Sequence, residues 1–168
     1  MRFEFSHEFD APLDALELAV MSPELASRVG RGWDSIESVE TVKHRLQEET
    51  FERVWRFQAK APLKVLKGYD VTREMMAWHE HSTYQRREYT AEWSIVPCDP
   101  AARWRDYFNA NGTYQLDPLA DGRTRRTVVG HLDIRVKMLG KVLARVALTE
   151  VKKAYEAEAT ALRALCEL

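Results

Sequence analysis

Cysteine and net charge are both scarce in this sequence, and each shortage excludes a class of protein. Only two of the 168 residues are cysteine, Cys98 and Cys166, and their separation fits neither a metal-binding nor a redox motif. The formal net charge is −1, from 25 Lys and Arg against 26 Asp and Glu, so the basic excess typical of nucleic-acid-binding domains is missing. We therefore expect free thiols in a reducing cytoplasm and no nucleic-acid partner.

Long apolar runs and familiar catalytic motifs are also missing. No hydrophobic run approaches the length of a membrane span, and residues 1–10 alternate apolar with polar side chains instead of forming a signal-peptide core. This predicts a soluble, unprocessed chain. The sequence has no G-x-G-x-x-G, G-x-S-x-G, P-loop or zinc-finger spacing, which argues against a nucleophilic enzyme and predicts no cofactor.

The sequence does contain enough apolar material for one core. Hydrophobic residues make up 45% of the chain and aromatic residues 10%, without repeats or low-complexity tracts. We expect a single domain over residues 1–168.

Strand periodicity runs through most of the chain. Residues 2–10 alternate in the manner of a strand with one buried face, and Pro12 and Ser22 are helix-start signals for two short helices that close near Gly30 or Gly32. Further strands are predicted near 34–47, 50–61, 71–85, 87–96, 103–116 and 123–136, before one long amphipathic helix over 138–168.

The long helix constrains the fold, because a helix of about 45 Å cannot cover its own apolar stripe. A curved antiparallel sheet is the partner surface that this strand-rich sequence offers. Where such a sheet wraps a helix, the two surfaces seldom meet everywhere, and the gap becomes a pocket for an apolar ligand.

This element order resembles the START-like, or helix-grip, superfamily, which includes lipid-transfer domains and polyketide aromatase/cyclases. The opening FEFSHEFDAPLDALELAV, with a helix entry at Ala11-Pro12, looks like the start of that superfamily. The resemblance implies an α+β fold in which about seven antiparallel strands grip the C-terminal helix. No catalytic motif of the superfamily is recognisable, and none is carried over.

Polar and aromatic residues on the buried strand faces are the candidate ligand-binding groups. Arg53 shares a face with aromatic rings, so it needs a carboxylate partner or an anionic ligand head, unless it points outward. His7 is either a satisfied core histidine or a ligand contact. Arg87 and Asp106 are in phase with buried rings and are candidate internal partners. The predicted ligand-binding set is His7, Arg53, Trp55, Phe57, Trp93, Phe108 and Tyr114.

The mouth of the cavity is predicted where the long helix begins. In a meander the 97–102 turn and the 60–69 loop lie at that same end. The mouth residues are Leu63, Lys64, Leu66, Lys67, Met138 and Leu139. Their cations and apolar tips suit a transient contact with an anionic membrane surface, or the apolar residues pack inward as a lid while the lysines are solvated.

The pair His79 and His81 is the one candidate for a metal. Residues two apart share a strand face, yet two ligands are too few for a site, so an exposed polar face is preferred and no metal is predicted.

These observations favour a non-enzymatic protein that binds, and transports, a hydrophobic or amphipathic small molecule such as a lipid. Two alternatives stay open. One is an acid/base enzyme of the aromatase/cyclase type that uses His7, Asp106 or a tyrosine, because burial can tune the pKa of one or two polar groups. The other is a regulatory adaptor that uses its surface.

Overall fold

A computed structural model describes residues 1–60, 76–98, 104–137 and 140–167 of the chain. Within these ranges the elements are β1 (Arg2–Phe9), α1 (Leu13–Val20), α2 (Leu25–Gly32), β2 (Ile36–Leu46), β3 (Thr50–Ala59), β4 (Ala77–Gln85), β5 (Thr90–Pro97), α3 (Trp104–Tyr107), β6 (Phe108–Pro118), β7 (Thr124–Ile134) and α4 (Gly140–Cys166).

The strands in the described ranges form one seven-stranded antiparallel sheet in the order β1-β7-β6-β5-β4-β3-β2. Strands β2 to β7 follow one another as a meander, and β1 closes the series by pairing with β7 from Arg2↔His131 to Phe9↔Thr124. This confirms the predicted α+β helix-grip architecture.

Helices α1 and α2 both form close to their predicted start signals, but α2 begins later than predicted. Helix α1 begins at Leu13, directly after Pro12, and buries Leu16, Ala19 and Val20. Helix α2 begins at Leu25 instead of Pro23. The Ser22 hydroxyl accepts a hydrogen bond from the Glu24 backbone N–H at 3.2 Å, so the cap acts on a turn that precedes the helix.

The predicted strand over 87–96 begins too early. Residues 86–89 form the β4–β5 turn, in which Tyr89 has a φ of 56°. Arg87 therefore does not face the core; its guanidinium pairs at 2.8 Å with the exposed Glu49 carboxylate. The predicted strand included the first residues of this turn. In a turn the two-residue period no longer shows which side chains face the core.

The predicted strand over 103–116 is also wrong at its start. Residues 104–107 form the short helix α3, and β6 begins at Phe108. Asp106 is exposed, and within the described ranges it pairs with no buried group. A four-residue helix cannot be told from a strand end by apolar alternation alone.

The inner face of the sheet, which faces α4, carries most of the core. Phe51, Tyr84, Leu116, Val128 and Leu132 are buried there beside residues of α1 and α2. Across β6 and β7, Gly112 and Gly130 are register partners, and the rings of Trp93 and Phe3 lie over them, 6.1 Å apart. A Cβ at either glycine would collide with the ring above it.

Helix α4 is 27 residues long and contacts this face of the sheet at β1 and β7. It packs more extensively on α2, α1, β7 and β1 than on strands β3 to β6. Among the described residues, no helix combines the length and the apolar character that crossing a bilayer requires.

Candidate functional site

Four charged side chains are enclosed between the sheet and α4. Arg53, Glu80, Arg126 and Glu158 form this inner charged cluster, and Arg53 and Arg126 are only 5% and 1% exposed. Burial of this much charge is costly unless each group is paired, so the cluster requires an explanation beyond packing.

The pairing register of the strands places the members of the inner charged cluster close to one another. Arg53 on β3 lies opposite Ser82 and one inner position from Glu80 on β4, and Arg126 on β7 lies between Leu116 and His7. Glu158 reaches them from the buried stripe of α4.

Glu158 joins the two arginines. Its Oε2 accepts a hydrogen bond from Arg126 Nη1 at 2.8 Å, and its Oε1 accepts one from Arg53 Nη2 at 3.1 Å. Arg53 Nη2 also donates to Glu80 Oε1 at 3.2 Å. One carboxylate therefore bridges strands β3 and β7 through long side chains.

The two carboxyl groups of the cluster differ electrostatically. Burial alone would raise the pKa of Glu158, but Arg126 and Arg53 together lower it, so Glu158 is ionised. At Glu80 burial prevails over the attraction of Arg53, and the pKa of Glu80 is raised. Burial would lower the pKa of Arg53, yet Glu158 and Glu80 raise it, which keeps this guanidinium charged.

The two guanidinium groups have more donors than the surrounding protein satisfies. Nε and Nη1 of Arg53 and Nε and Nη2 of Arg126 are buried and have no hydrogen-bond partner within the described part of the chain. Buried polar atoms are nearly always paired in native proteins, so four such nitrogens in one cluster are a feature of functional interest.

Aromatic rings surround the cluster. The Arg53 guanidinium carbon lies 3.6 Å from the centroid of the Trp55 ring, and that of Arg126 lies 5.8 Å from Tyr155. The Tyr155 ring meets Trp93 edge-on at 6.2 Å. Burial raises the pKa of Tyr114 and of Tyr155, so both hydroxyls stay neutral and can donate or accept a hydrogen bond.

His7 lies at the edge of this region. It is 8% exposed, and its Nε2 is 3.3 Å from Glu156 Oε1. Its Nδ1 is buried and has no partner among the described side chains and backbone. Burial, and then the charge of Arg126, lower the pKa of His7, which favours the neutral imidazole.

The structure brings most of the predicted ligand-binding residues to the inner face but not to one point. Arg53 belongs to the inner charged cluster, and His7, Trp55, Trp93 and Tyr114 lie on the same inner face of the sheet. The other two members lie nearer one end of the sheet.

Phe57 and Phe108 lie nearer the end of the sheet where α4 begins. The Phe57 ring stacks on Trp78 at 5.3 Å and meets Trp33 and Trp55 edge-on, so it adjoins the inner charged cluster through Trp55. Phe108 is half-buried at the end of the sheet where α4 begins.

The predicted mouth residues Leu63, Lys64, Leu66, Lys67, Met138 and Leu139 lie outside the described residues. The strand ends that flank them are described. The pairs Gln58↔Ala77, Trp78↔Pro97 and Phe108↔Ile134 place those ends on the side of the sheet from which α4 starts.

Sequence reasoning missed Arg126, Glu158 and the role of Glu80. Arg126 is in phase with the buried Val128, and Glu158 lies three residues after Tyr155 and four before Leu162, in the centre of the apolar stripe. For Arg126 and Glu158 alike, the sequence signal was a charged residue at the centre of an apolar pattern.

The outer face of the sheet holds the histidine pair. His79 and His81 stand with ring centroids 6.1 Å apart, and Glu80 between them points to the inner face. Among the described residues no group of three His, Cys, Asp or Glu could hold a metal ion. A groove of about 480 Å³ crosses β4 to β6 on this face, lined in part by His81, Glu92 and Asn111.

Sequence comparison identifies one matching family. Residues 4–165 match the family described as Protein of unknown function (DUF2505). No curated protein sequence matches the chain.

Solved structures match over nearly the whole chain. The protein TTHA0849 from Thermus thermophilus is 16% identical with a TM-score of 0.66, covering 99% of this chain and 97% of its own. The Zhui aromatase/cyclase from Streptomyces sp. R1128 is 12% identical with a TM-score of 0.67, covering 99% and 93%. A START superfamily protein from Mycobacterium smegmatis is 10% identical with a TM-score of 0.57, covering 98% of each chain. At these identities the likeness is one of fold, and it confirms the START-like assignment.

Proposed function

This chain belongs to the DUF2505 family, and on that premise we propose that it binds, without chemical turnover, a hydrophobic or amphipathic small molecule between the inner face of the sheet and α4. The ligand is lipid-like, with an apolar body against the aromatic residues and a polar group near the inner charged cluster.

The observation that carries this proposal is an uneven burial of the inner face. At the end of the sheet where α4 begins, Phe57, Ala110 and Leu132 are buried, but seven other apolar residues that face the interior are only half-buried. They are Trp78, Ile95, Phe108 and Ile134 on the strands and Ala147, Leu148 and Val151 on the helix. At the opposite end Phe9, Tyr84, Leu116 and Leu162 are almost completely buried.

Interior-facing apolar surface that neighbours do not cover is what a binding site for an apolar molecule requires. The position of α4 agrees with this, because the helix packs mainly on α1, α2, β1 and β7. Strands β3 to β6 are reached chiefly through long side chains such as those of Arg53 and Glu158.

Nile red, a neutral dye that fluoresces in apolar surroundings, tests the proposal directly. We expect saturable binding, and native mass spectrometry of the gently purified protein should show a co-purifying small molecule. Ala147→Phe adds a ring to the half-buried side of α4 and should abolish dye binding. Val146→Phe is the matched control, because Val146 is the adjacent residue and is 41% exposed.

Either of two results would exclude the proposal. One is the absence of dye binding to the unaltered protein. The other is a free energy of unfolding lowered by Ala147→Phe, which would mean that this region is already filled.

A second candidate function is an acid/base enzyme of the aromatase/cyclase type. The observation in its favour is that burial shifts the pKa of His7 downward and that of Glu80 upward, within one ring-lined region. If the co-purifying molecule changes mass on incubation with the unaltered protein but not with His7→Gln, this function replaces the first.

Contact with an anionic membrane is a further part of the proposed function. The first two turns of α4 expose Lys141 and Arg145 beside Val142 and Val146, which are 58% and 41% exposed. Such a surface suits the headgroup region of a bilayer. Flotation with phosphatidylserine vesicles should therefore decrease in Lys141→Glu/Arg145→Glu, whereas Arg31→Glu on α2 should leave it unchanged.

A further inference from the structure

We infer that the polar group of the bound molecule is a carboxylate, received by the guanidinium groups of Arg53 and Arg126. This assignment rests on the ligand-binding function proposed above and adds to it the chemical class of the ligand, an amphipathic acid.

The first argument is a shortage of acceptors. Each guanidinium carries five N–H donors in a planar fork. Arg53 uses Nη2 for both Glu80 and Glu158, and Arg126 uses Nη1 for Glu158. The other two nitrogens of each group find no acceptor in the described ranges, although both residues are more than nine-tenths buried. The unpaired Nε and Nη2 of Arg126 lie on one edge of the guanidinium, where the two oxygens of a carboxylate would accept two parallel hydrogen bonds.

The second argument is the balance of charge. Arg53 and Arg126 bring two positive charges, and Glu158 brings one negative charge. Burial raises the pKa of Glu80, so Glu80 holds its negative charge less firmly than Glu158 does, and protonation of Glu80 leaves the cluster with an excess of one positive charge. A single carboxylate neutralises this excess, whereas a phosphate monoester, with up to two negative charges, would exceed it.

The third argument is the position of the cluster relative to the half-buried apolar surface. Trp55 and Tyr155 adjoin the guanidinium groups, and the Trp93 ring contacts Tyr155. Half-buried Ile95 and Val151 continue from these rings toward the end of the sheet where α4 begins. A molecule with its acid group at Arg53 and Arg126 would place its chain along that surface. The arrangement suits an acid at one end of an apolar body.

Displacement of Nile red by three ligands with the same oleyl chain tests the assignment. Oleate should displace the dye at a concentration at least roughly tenfold lower than oleyl alcohol, since a charge-assisted pair adds one or more factors of ten to affinity. Oleyl phosphate should be weaker than oleate. If oleyl phosphate is stronger, the headgroup is a phosphate and the carboxylate assignment is overturned.

Arg126→Met/Glu158→Met removes an ion pair as a unit, a change that proteins often tolerate. We expect this variant to bind oleyl alcohol normally and to lose the part of its preference for oleate that the Arg126 donors supply, while Arg53 keeps the remainder. The exposed pair on α2 supplies the matched control, Glu24→Met/Arg28→Met, which should keep the preference. Should the double variant not fold, Arg53→Lys keeps the charge, loses the planar fork and should lower the preference for oleate.

Failure of this inference differs from failure of the proposed function. Equal affinities for oleate and oleyl alcohol, or an acid preference that neither cluster variant diminishes, overturns the inference while ligand binding stands. Absence of Nile red binding to the unaltered protein removes the proposed function and the inference together.

Discussion

Arg126 and Glu158 form an ion pair with an Nη1–Oε2 distance of 2.8 Å, and both side chains are less than a tenth exposed. The pair joins the last strand, β7, to the last helix, α4. Because Glu158 also accepts a hydrogen bond from Arg53, one carboxylate neutralises part of two buried guanidinium groups.

Glu158→Ala should therefore be strongly destabilising. It leaves Arg126 with no anionic partner within the described residues and Arg53 with only Glu80. Loss of one member of a buried pair costs about 3–5 kcal/mol in the free energy of unfolding, because the remaining charge stays desolvated. Urea unfolding at pH 7 measures this directly.

The exposed pair of Glu24 with Arg28 supplies the comparison. Glu24→Ala should change the free energy of unfolding by less than about 1 kcal/mol, as is usual for surface pairs. Similar losses in the two variants would mean that the cluster is hydrated and its charges are not buried in solution.

The sequence was sufficient to predict the fold because its information is periodic. Alternation in residues 2–9 and 50–59 assigns one face of each strand to the core, and the helix-start signal at Pro12 is local. The predictions that concerned Arg87 and Asp106 were wrong for the same physical reason. A turn and a four-residue helix interrupt the alternation without leaving a separate signal in the apolar pattern.

The candidate site was harder to predict because its contacts join distant parts of the chain. Arg53 was predicted to be a cation on an apolar face, because the alternation within β3 alone shows which residues share that face. Its partner Glu158 lies 105 residues away, and only the packing of α4 on the sheet brings the two together. Strand alternation does not show which carboxylate pairs with Arg53.

Gly130→Ala should be destabilising by about 1–3 kcal/mol, the usual range for an overpacked core. The added Cβ would lie 2.7 Å from two carbons of the Phe3 ring, which is held against Trp93 and cannot move freely. Thermal unfolding with Phe3→Leu in the same chain should show partial rescue. Gly32→Ala, where the nearest atom is 3.7 Å away, should be close to neutral.

His7 should make stability fall on mild acidification. Burial, followed by the charge of Arg126, lowers its pKa below the ordinary value of 6.5, while Glu156 opposes the shift. Below pH 6.5 the unfolded chain therefore binds a proton that the folded chain does not, and stability decreases until the folded pKa is reached.

Measured by urea unfolding between about pH 7 and pH 5.5, this slope should become smaller in His7→Gln. His131→Gln, at an exposed position of β7, should keep the slope of the unaltered protein. An unchanged slope in His7→Gln would show that the imidazole is hydrated in the folded state.

Glu80 should act in the opposite direction, because burial raises its pKa above the ordinary value of 4.5 despite the attraction of Arg53. Above pH 4.5 the folded chain holds a proton that the unfolded chain has released, so stability decreases as the pH rises toward the folded pKa.

Glu80→Gln has the same shape and does not titrate. Its free energy of unfolding, relative to the unaltered protein, should become more favourable from pH 4.5 upward and then level off, whereas Glu92→Gln on the outer face of β5 should show no such trend. A relative stability that declines with pH would mean that Arg53 holds Glu80 ionised, and the excess positive charge assigned to the inner charged cluster would then be absent.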